Sequence, residues 1–222
     1  MADGDKGLLI ATAVALIAFV VVGRVASSSE ERADQQSGFA VLDGGARSAF
    51  RGGALPPGVS GVPAPRFVLD DARGGRVDTR RLRGRPYVVT FLYVGCKDVC
   101  PLIGAELKQA LQRLGTRADD VTVIAVSADP RGDTRPAVRR WLAKLRMPDN
   151  LRYLIGSPEQ MQPVWRSHYA APQPEGDVNS AHTASIWLID RRGRWRTKFS
   201  GGMPVAPADI AHDLRLLLDE PA

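Results

Sequence analysis

The amino-acid sequence predicts an α/β domain of three layers, with helices packed on both faces of a mixed β-sheet. Three observations carry this reading. Two continuous apolar runs of strand length, PYVVTFLYV at 86–94 and VTVIAVSAD at 121–129, each lead into a segment of helical spacing, as expected of strands buried on both faces. A further strand and helix follow, LRYLIGS and then Pro158–Tyr169. Near the C-terminus, HTASIWLIDRRGRWRTKFSG reads as two strands joined by a tight turn at Arg191–Gly193, and a tight connection makes them antiparallel.

Taken in order, the chain begins with 17 uncharged residues between Lys6 and Arg24, a length that spans roughly 25 Å as a helix. Arg24 can snorkel, and Val25 with Ala26 extends the apolar length, so residues 1–26 read as a single transmembrane anchor. Small residues around 25–27 also suit signal-peptide cleavage, the rival reading. A buried core helix is disfavoured because the segment is apolar all round and a polar linker follows it. The leader MADGDK carries little positive charge and indicates orientation only weakly. Residues 27–63, rich in Ser, Gly, Ala and Pro, read as a flexible tether, with Phe39–Leu42 as a brief strand or docking element.

Residues 64–222 then form the folded domain. RFVLDD from Arg66 is a short strand, Ala72–Gly75 a turn, and GRVDTRRLRG the return, with the Arg80–Arg85 cluster in a solvated loop. Helices are expected over Leu102–Leu114, ending at Gly115, and over Thr134–Arg146, introduced by the loop PRGD. Pro207–Leu218 supplies the last helix.

The composition, 44% apolar and 24% charged over 222 residues, is that of an ordinary globular protein. The formal charge of +6 suits an anionic partner such as a lipid surface or an acidic protein face. However, 25 of the 30 basic residues are arginines spread along the chain, and no nucleic-acid-binding motif accompanies them, so they read as solvated surface. Two cysteines, placed close together, argue against a disulfide framework and for one reactive or metal-binding site.

That site is FLYVGCKDVCP, residues 91–101. Pro101 fits the first turn of a helix and biases Cys100 away from helical angles, which predicts Cys100 at the N-cap with a lowered thiol pKa. Cys96 falls in the loop at the carboxyl end of a central strand, where open α/β sheets hold their ligands. Two thiols at this spacing serve either a soft metal ion or each other in a disulfide, and the spacing leaves both open. Copper(I) on two thiolates calls for a third donor, for which histidine nitrogen is the natural candidate. His168, at a helix end, and His212, on the last helix, read as structural or solvated; His182 lies in a loop just before SIWLID and stands between surface residue and ligand. Met161, Met203, Trp187 and Trp195 read as packing residues.

FLYVGCKDVCP, together with VSADPRGDT at 126–134, GSPEQMQPVWRSHYA at 156–170 and AHTASIWLIDRRGR at 181–194, resembles the Sco/SenC family of copper-binding, thioredoxin-like proteins over most of residues 60–220. Val94 stands where the family often has threonine, and Lys97 replaces the common proline after the first cysteine. Neither change removes a ligand, and Asp129 of the Asp-Pro loop is assigned to loop structure. The resemblance implies a thioredoxin-like fold and copper held by Cys96, Cys100 and His182. It further implies a single-pass protein of the cell's inner membrane, its folded domain on the extracytoplasmic side. Such a protein delivers copper to the binuclear copper centre of cytochrome c oxidase, so the copper-centre subunit is the expected partner. Some relatives act instead as thiol-disulfide reductases on that centre's cysteines, with the same two sulfurs as the redox-active pair. A peroxiredoxin-like peroxidase fits less well, because its peroxidatic cysteine is isolated, and an anchored domain with a purely structural disulfide is the plainest alternative.

Overall fold

A computed structural model describes residues 49–53, 55, 58–172, 185–200 and 204–221. Seven strands form one sheet: β1 (Val68–Asp71), β2 (Arg76–Asp78), β3 (Tyr87–Leu92), β4 (Thr122–Ser127), β5 (Leu151–Ile155), β6 (Ser185–Ile189) and β7 (Trp195–Ser200). Their order across the sheet is β2-β1-β5-β4-β3-β6-β7. The central trio β5-β4-β3 is parallel, whereas β1 joins β5 and β6 joins β3 antiparallel. The sheet is mixed, as the sequence predicts, and β3 lies inside it, with every residue buried.

Four helices are described: α1 (Val99–Leu114), α2 (Arg135–Lys144), α3 (Pro158–Ser167) and α4 (Pro207–Asp219). Strand side chains alternate between two cores, as the two-residue pleat requires. Val88, Leu92, Val123 and Ala125 face α1, α2 and α4, through Ile103, Leu107, Val138, Trp141, Leu214 and Leu217. Val89, Phe91, Ile124 and Val126 face α3 through Met161, Val164 and Trp165. Start signals are local: Thr134 caps α2 by accepting from the Ala137 amide, and Ser157 with Gln160 makes a reciprocal capping box on α3. Strand and helix ends fall within a few residues of the expected ones, except that α1 starts earlier.

The tether reading needs correction at its C-terminal end. The described residues between 49 and 63 pack on the domain rather than trailing from it. Arg51 and Gly52 donate their amides to the two oxygens of Asp213, each at 2.8 Å. Gly53 N–H reaches the Lys198 carbonyl at 2.8 Å, and Gly61 N–H reaches that of Trp195 at 2.8 Å. Leu55 and Val59 are buried in the α3-side core. This strap covers the exposed edge of β7, which would otherwise offer unpaired amides and carbonyls. Composition misleads here because backbone pairing needs no apolar period, and glycine is what allows the close approach. A Cβ at Gly52 would lie 2.3 Å from Thr197 Oγ1 and 3.1 Å from the Lys198 carbonyl oxygen. Gly52→Ala is therefore expected to lower stability by about 1–3 kcal/mol, as overpacking does. Urea unfolding at pH 7 checks this, and an unchanged midpoint would show that the strap does not contribute to the fold.

The apolar segment within residues 1–26, and Phe39–Leu42, lie outside the described residues. Among the described residues no helix is long and apolar enough to cross a membrane.

Candidate metal centre

β3 ends at Leu92, and the chain turns through Tyr93–Asp98 into α1. The turn is closed by Cys96 N–H on the Tyr93 carbonyl at 3.2 Å. Cys96 and Cys100 are not joined in a disulfide and both are buried, Cys96 at 8% exposure and Cys100 at 0%. Helix α1 begins at Val99 with Asp98 as its N-cap residue, so Cys100 is in the first turn rather than at the cap. Proline at position 101 permits this because the first turn has no intrahelical use for its missing amide.

The displacement reverses the electrostatic expectation for Cys100. Burial raises its thiol pKa, and neighbouring Cys96 and Asp133 push the same way, against a backbone hydrogen bond at Tyr93 that lowers it. The benefit of the helix start goes to the other sulfur. Cys100 N–H, one of the amides that α1 cannot satisfy internally, donates to Cys96 Sγ at 3.2 Å. Tyr93 is pushed up to about 12, by burial first and then by Cys96, to which its hydroxyl also hydrogen-bonds. Cys96 is the more exposed residue of the pair, at 8% against 0% for Cys100.

Beneath the loop lies a polar cluster that sequence reasoning did not single out. Asp133, 2% exposed, accepts from the Val94 amide at 2.8 Å through Oδ1. Its Oδ2 is 2.6 Å from Ser127 Oγ and 2.8 Å from Tyr153 Oη. Tyr153 Oη also stands 2.9 Å from the Leu92 carbonyl oxygen, the last of β3. Burial raises the Asp133 carboxyl to about 6, opposed by the bonds from Ser127, Val94 and Tyr153. The available signals were the second aspartate of VSADPRGDT and the tyrosine of LRYLI in β5. Asp129 is loop structure as expected, its Oδ1 accepting from the amides of Arg131 at 3.2 Å and Gly132 at 3.0 Å.

His168 is structural: at 1% exposure it is boxed by Phe67, Phe91, Trp187 and Trp195, with Nδ1 2.9 Å from the Val164 carbonyl oxygen. Burial lowers its pKa to about 4. His212 is partly exposed on α4, 3.0 Å from Asp213. Met161 is fully buried beside Val164 and Trp165, and Trp187 and Trp195 stack at 5.1 Å across the β6–β7 pair. His182 and Met203 lie outside the described residues. Among the described residues no group of three or more His, Cys, Asp or Glu side chains is placed to hold a metal ion. Cys96 and Cys100 therefore form a two-sulfur site there, soft in donor character.

A pair of thiols where the loop after a central strand enters a helix, within a mixed sheet layered by helices on both faces, defines a thioredoxin-like paired-thiol domain. The chain belongs to the SCO1/SenC family, whose sequence model matches residues 61–219. It is similar to ScoI of Bradyrhizobium japonicum, solved with copper bound: 32% identity, 70% of this chain and 99% of that one covered, TM-score 0.60. The SCO1 protein homolog of Bacillus subtilis is 24% identical over 153 residues, which is 67% of this chain and 79% of the relative. Protein SenC of Rhodobacter capsulatus is 31% identical over 129 residues, 56% of this chain and 57% of the relative. Arabidopsis thaliana ScoI with copper bound shares the fold at 22% identity and TM-score 0.61, covering 71% of this chain and 98% of that one.

Proposed function

We propose that this protein is a membrane-anchored copper metallochaperone that carries copper(I) on Cys96, Cys100 and His182 and delivers it to the binuclear copper centre of cytochrome c oxidase during assembly. The apolar segment within residues 1–26 is its single-pass anchor in the inner membrane, residues following it the tether, and the folded domain is extracytoplasmic. The observation that carries the reading is the pair of thiols at the junction of the β3–α1 loop and the first turn of α1, not joined in a disulfide, a soft donor set of the kind that copper(I) takes. Membership in a family whose solved members include copper-bound ones supports the choice of metal. Copper is the cargo. Taking it up releases the thiol protons, and the raised thiol pKa of Cys100 makes that release, and so the affinity, depend on pH.

The full-length protein, purified in detergent and kept reduced and anaerobic, is titrated with copper(I) against a competing chelator. Unaltered protein is expected to bind one ion, and His182→Ala to bind it at least about tenfold more weakly, a donor being worth no less than the supporting partners whose loss costs tenfold or more. Equal affinity would exclude the three-ligand site.

A second reading is favoured by the hydrogen bond from Cys100 N–H to Cys96 Sγ, which brings the more exposed cysteine against the backbone of the other. In this reading the protein is a thiol-disulfide oxidoreductase that keeps the copper-centre cysteines reduced. The Cys96 thiolate attacks a substrate disulfide and releases one substrate thiol. Cys100 then attacks the mixed disulfide, releasing the second thiol and leaving the Cys96–Cys100 disulfide, with two electrons passed to the substrate. Here His182→Ala leaves the rate of peptide disulfide reduction unchanged.

A further inference from the structure

The cysteine loop is attached to the rest of the fold at two backbone points. Leu92 C=O, at its start, receives Ala128 N–H at 2.8 Å as well as Tyr153 Oη. Val94 N–H, two residues before Cys96, goes to Asp133 Oδ1. Both points converge on one carboxyl group, since Tyr153 Oη and Ser127 Oγ contact Asp133 Oδ2. Asp133 is itself held from behind, its amide on the Asp129 carbonyl at 2.8 Å in the turn that precedes α2. Ser127 Oγ in turn takes the Asp129 amide at 3.2 Å. The cluster links the ends of β3 and β4 to the middle of β5, the three parallel strands, at the start of the cysteine loop. Ser127, Asp133 and Tyr153 are all buried, at 0%, 2% and 0% exposure.

Such a carboxyl is not an economical structural filler. A buried acid with no arginine or lysine among its hydrogen-bond partners costs more to place than an amide or hydroxyl of the same reach. Its geometry, however, does what a two-sulfur site requires. An ion held by two donors four residues apart, or a disulfide between them, tolerates only a narrow range of separations. A loop free to rock about Leu92 and Val94 would sample that range only part of the time.

We propose that Asp133, acting with Tyr153 and Ser127, is the positioning residue of the thiol pair. By fixing the Val94 amide and, through Tyr153, the Leu92 carbonyl, it sets the separation at which Cys96 and Cys100 face a partner. It thereby sets both the affinity for a soft ion and the equilibrium between dithiol and disulfide. The inference rests on the cysteine pair being the working site, but not on copper being its cargo.

The test measures two quantities on the full-length protein: the dithiol–disulfide equilibrium against a glutathione buffer, and copper(I) affinity by chelator competition. Variants are Asp133→Ala, Asp133→Asn and Tyr153→Phe, each with its unfolding midpoint. Asp133→Ala is expected to shift both constants by about tenfold, the usual cost of losing a supporting partner, which for the two-electron couple is about 30 mV. Asp133→Asn keeps an acceptor for the Val94 amide and is expected to recover most of the loss. Tyr153→Phe removes one hydroxyl and leaves the ring packed; it is expected to shift both constants in the same direction as Asp133→Ala, and decides the matter if that variant fails to fold. Folded variants with unaltered equilibrium and affinity would overturn the proposal, as would an Asn variant no better than Ala. If the unaltered protein takes up no copper(I) while the disulfide equilibrium still moves, the cargo reading fails and this inference stands.

Discussion

A chain carrying serine at both 96 and 100 is expected to take up no copper(I) at stoichiometric concentrations. Each single substitution should lower the affinity by more than about a hundredfold, the upper range for losing a mere supporting partner. The reason is donor softness: a serine oxygen is a poor ligand for copper(I), and a neutral hydroxyl does not replace the charge of a thiolate. Position matters as well. Cys100 is fully buried and Cys96 nearly so, so no solvent-borne donor replaces a missing sulfur without opening the loop. Chelator competition reads the affinity, and the unfolding midpoint must be followed beside it, because a buried serine at 100 also needs a hydrogen-bond partner. Cys100→Ala serves as the control that avoids that need. Retention of tight binding by the double variant would remove the cysteine loop from copper handling altogether.

The second large effect concerns acid. Burial in its aromatic box holds His168 neutral and lowers its pKa to about 4, from the ordinary 6.5. Between these values the unfolded chain binds a proton that the native state refuses, so stability from this group is complete above pH 6.5 and is lost as pH falls toward 4. The loss approaches about 3 kcal/mol at pH 4, from 1.36 kcal/mol per pKa unit. Asp133 works in the opposite sense, because burial raises its pKa to about 6, above the ordinary 3.8 of an aspartate. Its native state holds the extra proton, its contribution is complete below pH 3.8, and that contribution is lost as pH rises through 6. The two nearly offset in the unaltered protein between pH 4 and 6. His168→Phe preserves the ring and removes the titration. Urea unfolding at pH 4 and pH 7 should therefore show the variant gaining about 3 kcal/mol on the unaltered protein at the lower pH, relative to their difference at pH 7. A difference that does not change with pH would mean that His168 titrates normally, and that its box is wetter than its burial implies.

Much of the architecture was legible because it repeats a local rule. PYVVTFLYV suited a strand buried on both faces, and its Tyr87–Leu92 stretch is β3, inside the sheet. The helices near Thr134 and Pro158 were legible from their spacing, and Thr134 and Ser157 cap them by short-range hydrogen bonds. The cysteine motif and its place after a central strand were legible for the same reason.

Cys100 marks where local rules stop. Proline at 101 correctly signalled a helix start, but α1 began two residues earlier than the cap assignment, and burial then outweighed the helix terminus in setting the thiol. Arg51–Gly53 and Gly61 were read as tether because their stretch is rich in Ser, Gly, Ala and Pro, yet their amides are held by carbonyls of β7 and by the Asp213 carboxylate of α4. His168 looked like an ordinary residue at a helix end and proved to be enclosed by four aromatic rings brought from β3, β6, β7 and the segment before β1.

By itself, the sequence determined the layered α/β class, the order of strands and helices, and the pair of sulfurs on a turn, since periodicity, caps and motif spacing act within a few residues. Only the tertiary structure decided which sulfur receives the helix amide, what covers the edge of β7, and that Asp133 and Tyr153 meet under the loop. These depend on dielectric surroundings and on contacts between residues far apart in the chain, such as Tyr153 and Leu92, and no local pattern encodes such a meeting.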